Sequence, residues 1–278
     1  MLGAIIGDIT GSIYEFNNFK SKEIAILDKG CFFTDDTVMT IAVADAIMKG
    51  GKPDDYIDCM KYWGRKYPNS GYGGRFSKWL FSDDREPYNS FGNGSAMRVS
   101  PCAYVVQRSQ FIHEGIEDVE NCARQSAEVT HNHPEGIKGA IVVAKSIYVV
   151  RKSYYQAQEH MDWVKSIVKG FAEEVGYNMN RSLDEIRPTY QFDETCQGSV
   201  SEAIIAFLES TNFVDAISNA ISIGGDSDTI AAITGSIAEA AYGIPEAIKK
   251  AALGFLDEPM REVLRKWKKF AHNAPSGY

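Results

Sequence analysis

Two short acidic segments carry the residues best suited to chemistry. The first is Thr34-Asp35-Asp36-Thr37 and the second is Gly224-Gly225-Asp226-Ser227-Asp228-Thr229; each leads into a strongly apolar helical pattern. Asp, Ser and Thr at a helix start accept hydrogen bonds from unpaired backbone N–H groups and suit the positive end of the helix dipole. Capping accounts for one aspartate per helix. It accounts poorly for two aspartates with flanking threonine hydroxyls on helices too apolar to lie at the surface. If the two helix starts meet in the core, four carboxylates share one site of formal charge −4. Buried like charges that close drive protonation or unfolding unless cations balance them. One divalent cation leaves −2 and two neutralise the site. The ligand atoms are oxygens of Asp and Thr, with no Cys, which suits Mg²⁺, Mn²⁺ or Ca²⁺ rather than Zn²⁺. The spacing is not that of an EF-hand loop. A pair of metals about 3.5–4 Å apart typically activates water and holds substrate oxygens. Metal ligation is the favoured reading, with double helix capping as the alternative.

Three further segments accompany these clusters. In Gly3-Ala4-Ile5-Ile6-Gly7-Asp8-Ile9-Thr10-Gly11-Ser12-Ile13-Tyr14-Glu15 the glycines recur every four residues. They line one helix face and permit close packing of a second helix. No strand precedes them, so this is not a nucleotide-binding glycine motif. Asp8 is expected to be structural, whereas Glu15 is either a helix-end carboxylate or a group that reaches the acidic site. Phe91-Gly92-Asn93-Gly94-Ser95-Ala96-Met97-Arg98 offers a glycine-rich backbone at a helix start, which suits a phosphate or a simple turn. Thr130-His131-Asn132-His133-Pro134-Glu135-Gly136 holds two of the five histidines. With no third soft ligand nearby, it is expected to contact a ligand rather than bind zinc.

Helical periodicity supplies the scaffold these residues need. The spacing predicts helices over Thr37–Met48, Asp54–Tyr62, Ile116–Val129, Glu135–Arg151, Tyr155–Glu174, Ser199–Leu208, Val214–Ile221, Thr229–Tyr242, Pro245–Leu253 and Glu258–Phe270. Thr37–Met48 is apolar on most of its surface and is expected to be buried nearly all round. Glu23–Leu27 is the one strand candidate. Long loops are expected at Asn17–Lys22, Ser82–Gly94 and Asn178–Gly198, and loops of such length in a compact domain are often functional. The fold class is therefore all-α, and no linker divides residues 1–278 into separate domains. The 29 basic and 37 acidic residues leave a net charge of −8, which argues against an extended nucleic-acid surface. The basic run Arg261–Lys269 reads as the solvated face of a last helix. Five cysteines, an odd number with no Cys-x-x-Cys pair, argue against a disulfide framework and for a reducing compartment. The start of the chain lacks a basic region before an apolar run, unlike a signal peptide. The uncharged stretches 216–225 and 229–238 are 10 residues each, whereas a bilayer span takes about 20. A cytoplasmic protein with no membrane partner is expected.

The ordered set of motifs resembles the ADP-ribosylglycohydrolases, the family of the dinitrogenase-reductase-activating glycohydrolase and the ADP-ribosylhydrolase-type enzymes. The motifs lie at residues 3–15, 33–37, 92–98, 130–136 and 224–229. Each is weak alone, and five in order are specific. The resemblance implies a compact single-domain helical fold with two Mg²⁺ or Mn²⁺ ions in a cleft. It implies hydrolysis of the glycosidic bond between ADP-ribose and an acceptor. Carried over by motif, Thr34, Asp35, Asp36, Asp226, Asp228 and Thr229 match the metal ligands. Glu15 matches a glutamate beside the metals that gates access in some members. Glu15, Asp35 and Asp36 are the carboxylates expected to manage the proton. Gly94 and Ser95 match the loop that meets the diphosphate, Asn93 and Arg98 of the same motif are expected to bind substrate, and His131 matches a histidine near the ADP-ribose. The expected partner is an ADP-ribosylated protein or a small ADP-ribose conjugate, met by a monomer. By analogy with compact members the first choice of acceptor is arginine. The alternatives are O-linked ADP-ribose, on serine or as the acetyl ester, and a non-catalytic binder on the same scaffold. Asn178–Gly198 aligns with none of these motifs and is the candidate for shaping acceptor specificity.

Overall fold

The computed structural model describes residues 1–105, 115–153 and 161–273. The chain folds as helices α1 (Leu2–Gly11), α2 (Asp35–Lys49), α3 (Pro53–Lys66), α4 (Gly74–Phe81), α5 (Gly94–Met97), α6 (Ile116–Glu128) and α7 (Pro134–Ser153). These are followed by α8 (Met161–Glu174), α9 (Leu183–Ile186), α10 (Cys196–Leu208), α11 (Phe213–Ser222), α12 (Ser227–Tyr242), α13 (Glu246–Phe255) and α14 (Glu258–Asn273). Among the described residues there is no strand, only an isolated bridge between Gly92 and Thr195. The fold is all-α, as the periodicity predicts.

Helix α12 is the hub, packing against α1, α2, α5, α7, α10 and α11. Its small and apolar residues surround it, so every position from Ser227 to Ala238 is buried, as expected of a helix without a polar face. Helix α1 lies closest to it. A methyl group at Gly3, Gly7 or Gly11 would overlap the backbone of Gly235, Ala231 or Asp228 respectively. The glycine stripe therefore lets two helix backbones touch. Ile5, Ile6 and Ile9 on other faces of α1 are fully buried, each contributing roughly 1.5–3 kcal/mol. At the far edge, α14 buries Met260, Val263 and Trp267 and exposes Arg265, Lys266, Lys268 and Lys269. The basic run is a solvated face.

Two expectations are corrected. Glu23–Leu27 is not a strand; it is irregular and ends in a turn, with Leu27 at φ 57°. Its apolar alternation arises because Ile24 and Ile26 pack on the core, and no neighbouring strand pairs with them. The loop expected at Asn178–Gly198 contains the short helix α9 and the start of α10. Helix α4 was not foreseen. The helix expected over Tyr155–Glu174 is seen from Met161 onward; residues 155–160 of that expectation lie outside the described residues.

Candidate active site

The close contact of α1 and α12 sets Asp8 and the residues after Gly11 beside Asp226–Thr229. Ser227 Oγ donates to the carbonyl of Gly11 at 3.3 Å. The chain reaches α12 through Gly224 and Gly225, both at positive φ (75° and 67°), a conformation that glycine adopts without penalty. The start of α2 is brought to the same point by Asp8. This buried carboxylate accepts from Thr34 N at 3.0 Å, Thr34 Oγ1 at 2.6 Å, Thr37 N at 3.0 Å and the Thr37 hydroxyl. Asp8 is therefore structural, as expected, although it also adds charge to the cluster beside it.

The two helix starts meet. Carboxylate oxygens of Asp8, Asp36 and Asp228 lie within 4.8 Å of one another, and so do those of Glu15, Asp226 and Asp228. Asp228 belongs to both groups. Asp35 stands at the edge, half-buried and facing the cleft. The threonines knit the helix starts together: Thr229 Oγ1 donates to Asp36 Oδ2 at 3.1 Å, and Thr34 Oγ1 lies 3.5 Å from the same oxygen. Asn93 Nδ2 donates to Asp226 Oδ2 at 2.6 Å and to Ser199 Oγ at 3.1 Å, which ties α5 and α10 to the cluster.

Helix capping does not explain these aspartates. The cap of α2 is Thr34, which accepts from Asp36 N. Asp226 is the cap residue of α12 and makes no side-chain cap bond; its carboxylate is spent on Asn93. None of the ion pairs among the described residues includes Glu15, Asp35, Asp36, Asp226 or Asp228. Burial, reinforced by the charge of Asp228, pushes the Glu15 carboxyl up to about 8. Burial likewise raises Asp226 to about 6, with the Asn93 bond opposing it. Asp35, Asp36 and Asp228 are driven well above the usual carboxylate range by burial and by the charges of neighbouring aspartates, Asp8 among them in each case. Asp36 Oδ1 is buried with no hydrogen-bond partner in the protein. An uncompensated, all-oxygen cluster with a spare buried lone pair fits a hard divalent cation.

The cluster floors a cleft of about 370 Å³. Its walls also carry Arg75, Arg98, His131 and the stretch Gly92–Gly94, where Gly92 N and Asn93 N are already bound to Ser90 Oγ and Glu194 O. Arg98 is buried and donates to Ser126 O at 3.1 Å and Thr130 Oγ1 at 2.7 Å. Thr130 Oγ1 lies 2.8 Å from His131 Nδ1. Because Arg98 can only donate, the threonine proton is best used on Nδ1. Nε2 then carries the imidazole proton, and it is the ring atom that faces Gly92 and Gly94. Burial, then the charges of Arg98 and Arg75, hold the His131 pKa well below its usual value, so the ring is neutral.

Sequence expectations for these walls are met unevenly. Asn93, Gly94, Arg98 and His131 line the cleft. The Ser95 side chain does not: it is fully buried and donates to Gly136 O at 2.6 Å, because Ser95 lies on the face of α5 that packs on α7. Arg98 works chiefly through Thr130 rather than by an exposed guanidinium. Sequence reasoning missed Arg75, Phe76, Tyr88 and Phe192, which also line the cleft. The signal for the first two was the glycine-rich stretch Gly71-Tyr72-Gly73-Gly74 before them. Phe192 comes from the 178–198 segment, which is fastened to the cleft wall by Asn93 N on Glu194 O at 2.8 Å and Cys196 N on Phe91 O at 3.0 Å.

Residues 1–274 match the family model described as ADP-ribosylglycohydrolase. The chain is 25% identical over 328 residues to ADP-ribosylhydrolase ARH3 of Mus musculus, across 92% of this chain and 86% of that one. It is 27% identical over 281 residues to ADP-ribosylarginine hydrolase Tri1 of Pseudomonas putida, across 91% and 73%. A solved structure titled ADP-ribosylglycohydrolase-related protein complex superposes with a TM-score of 0.69 at 21% identity, covering 97% of this chain and 95% of that one. That likeness is one of fold. No helix among the described residues is long and apolar enough to cross a membrane.

Proposed function

The chain belongs to the ADP-ribosylglycohydrolase family, and from that premise we propose that it is a metal-dependent hydrolase that releases ADP-ribose from ADP-ribosylated arginine. The observation that carries the reading is the polarity of the cleft. Glu15, Asp35, Asp36, Asp226 and Asp228 supply its acidic side chains, and Arg75, Arg98 and His131 its basic ones. A ligand with a diphosphate at one end and a sugar diol at the other matches both sets. Arginine is the first choice because Tri1, an ADP-ribosylarginine hydrolase by name, is a bacterial relative at 27% identity; ARH3 covers as much of the chain at 25%, so the conjugates below decide between the acceptors.

Asp35, Asp36, Asp226 and Asp228, with Thr34 and Thr229, would hold two Mg²⁺ or Mn²⁺ ions. When bound, such a pair lowers the pKa of a water and polarises sugar oxygens. Asn93 keeps Asp226 in register through its 2.6 Å bond. The neutral His131 presents Nε2–H to the diphosphate side and orients the ligand without adding a charge. Orientation of this kind supplies much of the rate in a hydrolysis through an oxocarbenium-like state. Glu15 lines the cleft beside the cluster, and its raised pKa of about 8 suits it to take a proton from the attacking water and pass it to the nitrogen of the leaving guanidine.

The test is a set of defined conjugates: an ADP-ribosylarginine peptide, an ADP-ribosylserine peptide and O-acetyl-ADP-ribose, each with EDTA-stripped and Mg²⁺-supplied protein. Metal-dependent release of ADP-ribose from the arginine conjugate is expected. Release from the serine or acetyl conjugate alone moves the acceptor to oxygen. Binding of ADP-ribose without release from any conjugate supports a non-catalytic binder.

A further inference from the structure

Beyond Glu15 the cleft continues into a second, smaller depression of about 220 Å³, walled by Phe16, Asn18, Gln191 and Gly225. Glu15 and Phe192 line both spaces, so these two residues form the threshold between them. Phe16 and Phe192 are 83% and 48% exposed, and neither packs on the hydrophobic core. Their rings are nonetheless ordered against each other, with centroids 6.3 Å apart and planes within 18°. Apolar surface held open at the rim of a polar cleft marks a contact with something else.

The frame around these rings is built rather than loose. Gly225 N donates to Asn18 Oδ1 at 3.1 Å, and Asn18 Nδ2 donates to Gln191 Oε1 at 3.3 Å. Lys20 Nζ donates to Tyr190 O at 2.7 Å and Ile223 O at 2.5 Å. Both aromatic segments are thus fastened to the turn that precedes Asp226.

We propose that this depression is the acceptor subsite, in which the faces of Phe16 and Phe192 and the carboxylate of Glu15 receive the guanidinium of the modified arginine. The inference rests on the hydrolase reading above and adds the residues that select the acceptor. With the diphosphate at the basic side chains and the ribose over the acidic cluster, the leaving group projects past Glu15. An N-ribosylated guanidinium keeps its positive charge and its planarity. It gains from stacking on an aromatic face and from a carboxylate beside it, whereas a serine oxygen gains neither.

The test compares Mg²⁺-supplied wild type with Phe16→Ala/Phe192→Ala and with Phe16→Leu/Phe192→Leu. KM for an ADP-ribosylarginine peptide is expected to rise by about ten-fold in both variants. The leucine pair separates aromatic stacking from simple apolar cover, because it keeps the bulk and loses the π face. The affinity for free ADP-ribose, measured by calorimetry on Phe16→Ala alone because Phe192 also lines the main cleft, is expected to stay within about two-fold of wild type. Unchanged KM overturns the subsite, as does a loss of ADP-ribose affinity equal to the rise in KM. Restoration of wild-type KM by the leucine pair overturns the cation-stacking assignment. Wild type that binds ADP-ribose but cleaves only the serine conjugate overturns the guanidinium as occupant. Wild type that neither binds ADP-ribose nor cleaves any conjugate overturns the hydrolase reading itself. Both side chains lie outside the core, so folding of the variants can be verified by an unchanged melting temperature.

Discussion

Thr229 Oγ1 donates to Asp36 Oδ2 at 3.1 Å, joining the start of α12 to the start of α2 across 193 residues of chain. The other oxygen of Asp36 has no protein partner. One oxygen thus fixes the carboxylate and the other is left for a ligand. Asp226 is likewise oriented by a neutral donor, with Oδ2 held by Asn93. Carboxylates that are oriented by neutral donors, with no cationic side chain to neutralise them, are poised for a cation that the protein does not itself provide.

Asp228 is common to both carboxylate groups, so Asp228→Asn tests the cluster most directly. Asparagine keeps the size and caps a helix about as well as aspartate. The metal-free variant should be as stable as wild type or more so, since a repelling charge is removed. Its Mg²⁺ affinity should fall, and turnover should fall by more than the ~10–100-fold typical of losing a group behind the ligands. Melting curves with and without Mg²⁺, alongside ADP-ribose release, read both effects. Wild-type turnover with retained Mg²⁺ stabilisation would show that Asp228 is only a helix-start residue.

The same repulsion sets a pH dependence. Glu15 is raised to about 8, and Asp8 and Asp226 to about 6, chiefly by burial. In the unfolded chain such groups titrate near 4. A raised folded pKa gives stability that is complete below the unfolded pKa and drains away as pH rises through the folded one. The metal-free protein should therefore have a lower urea midpoint at pH 8.5 than at pH 6.5. His131, whose pKa is depressed, loses stability only as pH falls below its ordinary value of about 6.5, so it stays outside this window. Mg²⁺ should raise the midpoint most at pH 8.5, because it competes with protons for the same oxygens. At 100 times its dissociation constant a cation adds about 2.7 kcal/mol per site. A midpoint in EDTA that is level or rising over this range would contradict an uncompensated cluster.

The helix starts of α2 and α12 were legible because their chemistry is local: Asp, Thr and Gly at fixed spacing before an apolar run. The glycine stripe of α1 was legible for the same reason. Which residues come from other elements was not. Phe192 and Arg75 reach the cleft from connecting segments whose placement depends on long-range bonds, such as Asn93 N to Glu194 O. Ile24 and Ile26 show a different limit. Their alternation matches a strand, but it records contact with the core on one side, and no partner completes a sheet. Ser95 shows a third, since a motif locates a loop without saying which side chain of a single helical turn faces the ligand.

The packing of α1 on α12 predicts an unusual cost for a small change. Gly7→Ala would favour an isolated helix by about 1 kcal/mol. Here the added methyl meets the carbonyl of Ala231, part of a backbone that cannot move without shifting Asp228. Overpacking of this kind costs about 1–3 kcal/mol, so the net effect should be destabilising. Metal affinity should fall as well, because the α1–α12 contact aligns the acidic cluster. Urea unfolding measures the first effect and Mg²⁺-dependent melting the second. A stabilised Gly7→Ala protein would mean that the two backbones do not touch.

Thr130 tests the basic part of the cleft. It is fully buried, accepts from Arg98 at 2.7 Å and lies 2.8 Å from His131 Nδ1. Its hydroxyl keeps the imidazole proton on Nε2, which faces Gly94. Thr130→Val removes the hydroxyl with little change of shape and leaves Nδ1 and one Arg98 bond unsatisfied. A buried polar group stripped of its partner costs about 1–3 kcal/mol, so the variant should be less stable by that amount. The imidazole is then free to carry its proton on Nδ1, turning Nε2 from a donor into an acceptor toward the ligand. Loss of one hydrogen bond to a charged group, worth about 1.5–3 kcal/mol, should weaken ADP-ribose binding by at least ten-fold. Thr130→Ser, which keeps the hydroxyl, should bind ADP-ribose nearly as wild type does. The nitrogen chemical shifts of the His131 ring report the tautomer directly, with Nε2 protonated in the wild type. Nδ1 protonation in the wild type, or unchanged ADP-ribose affinity in Thr130→Val, would break the chain from Arg98 through Thr130 to His131.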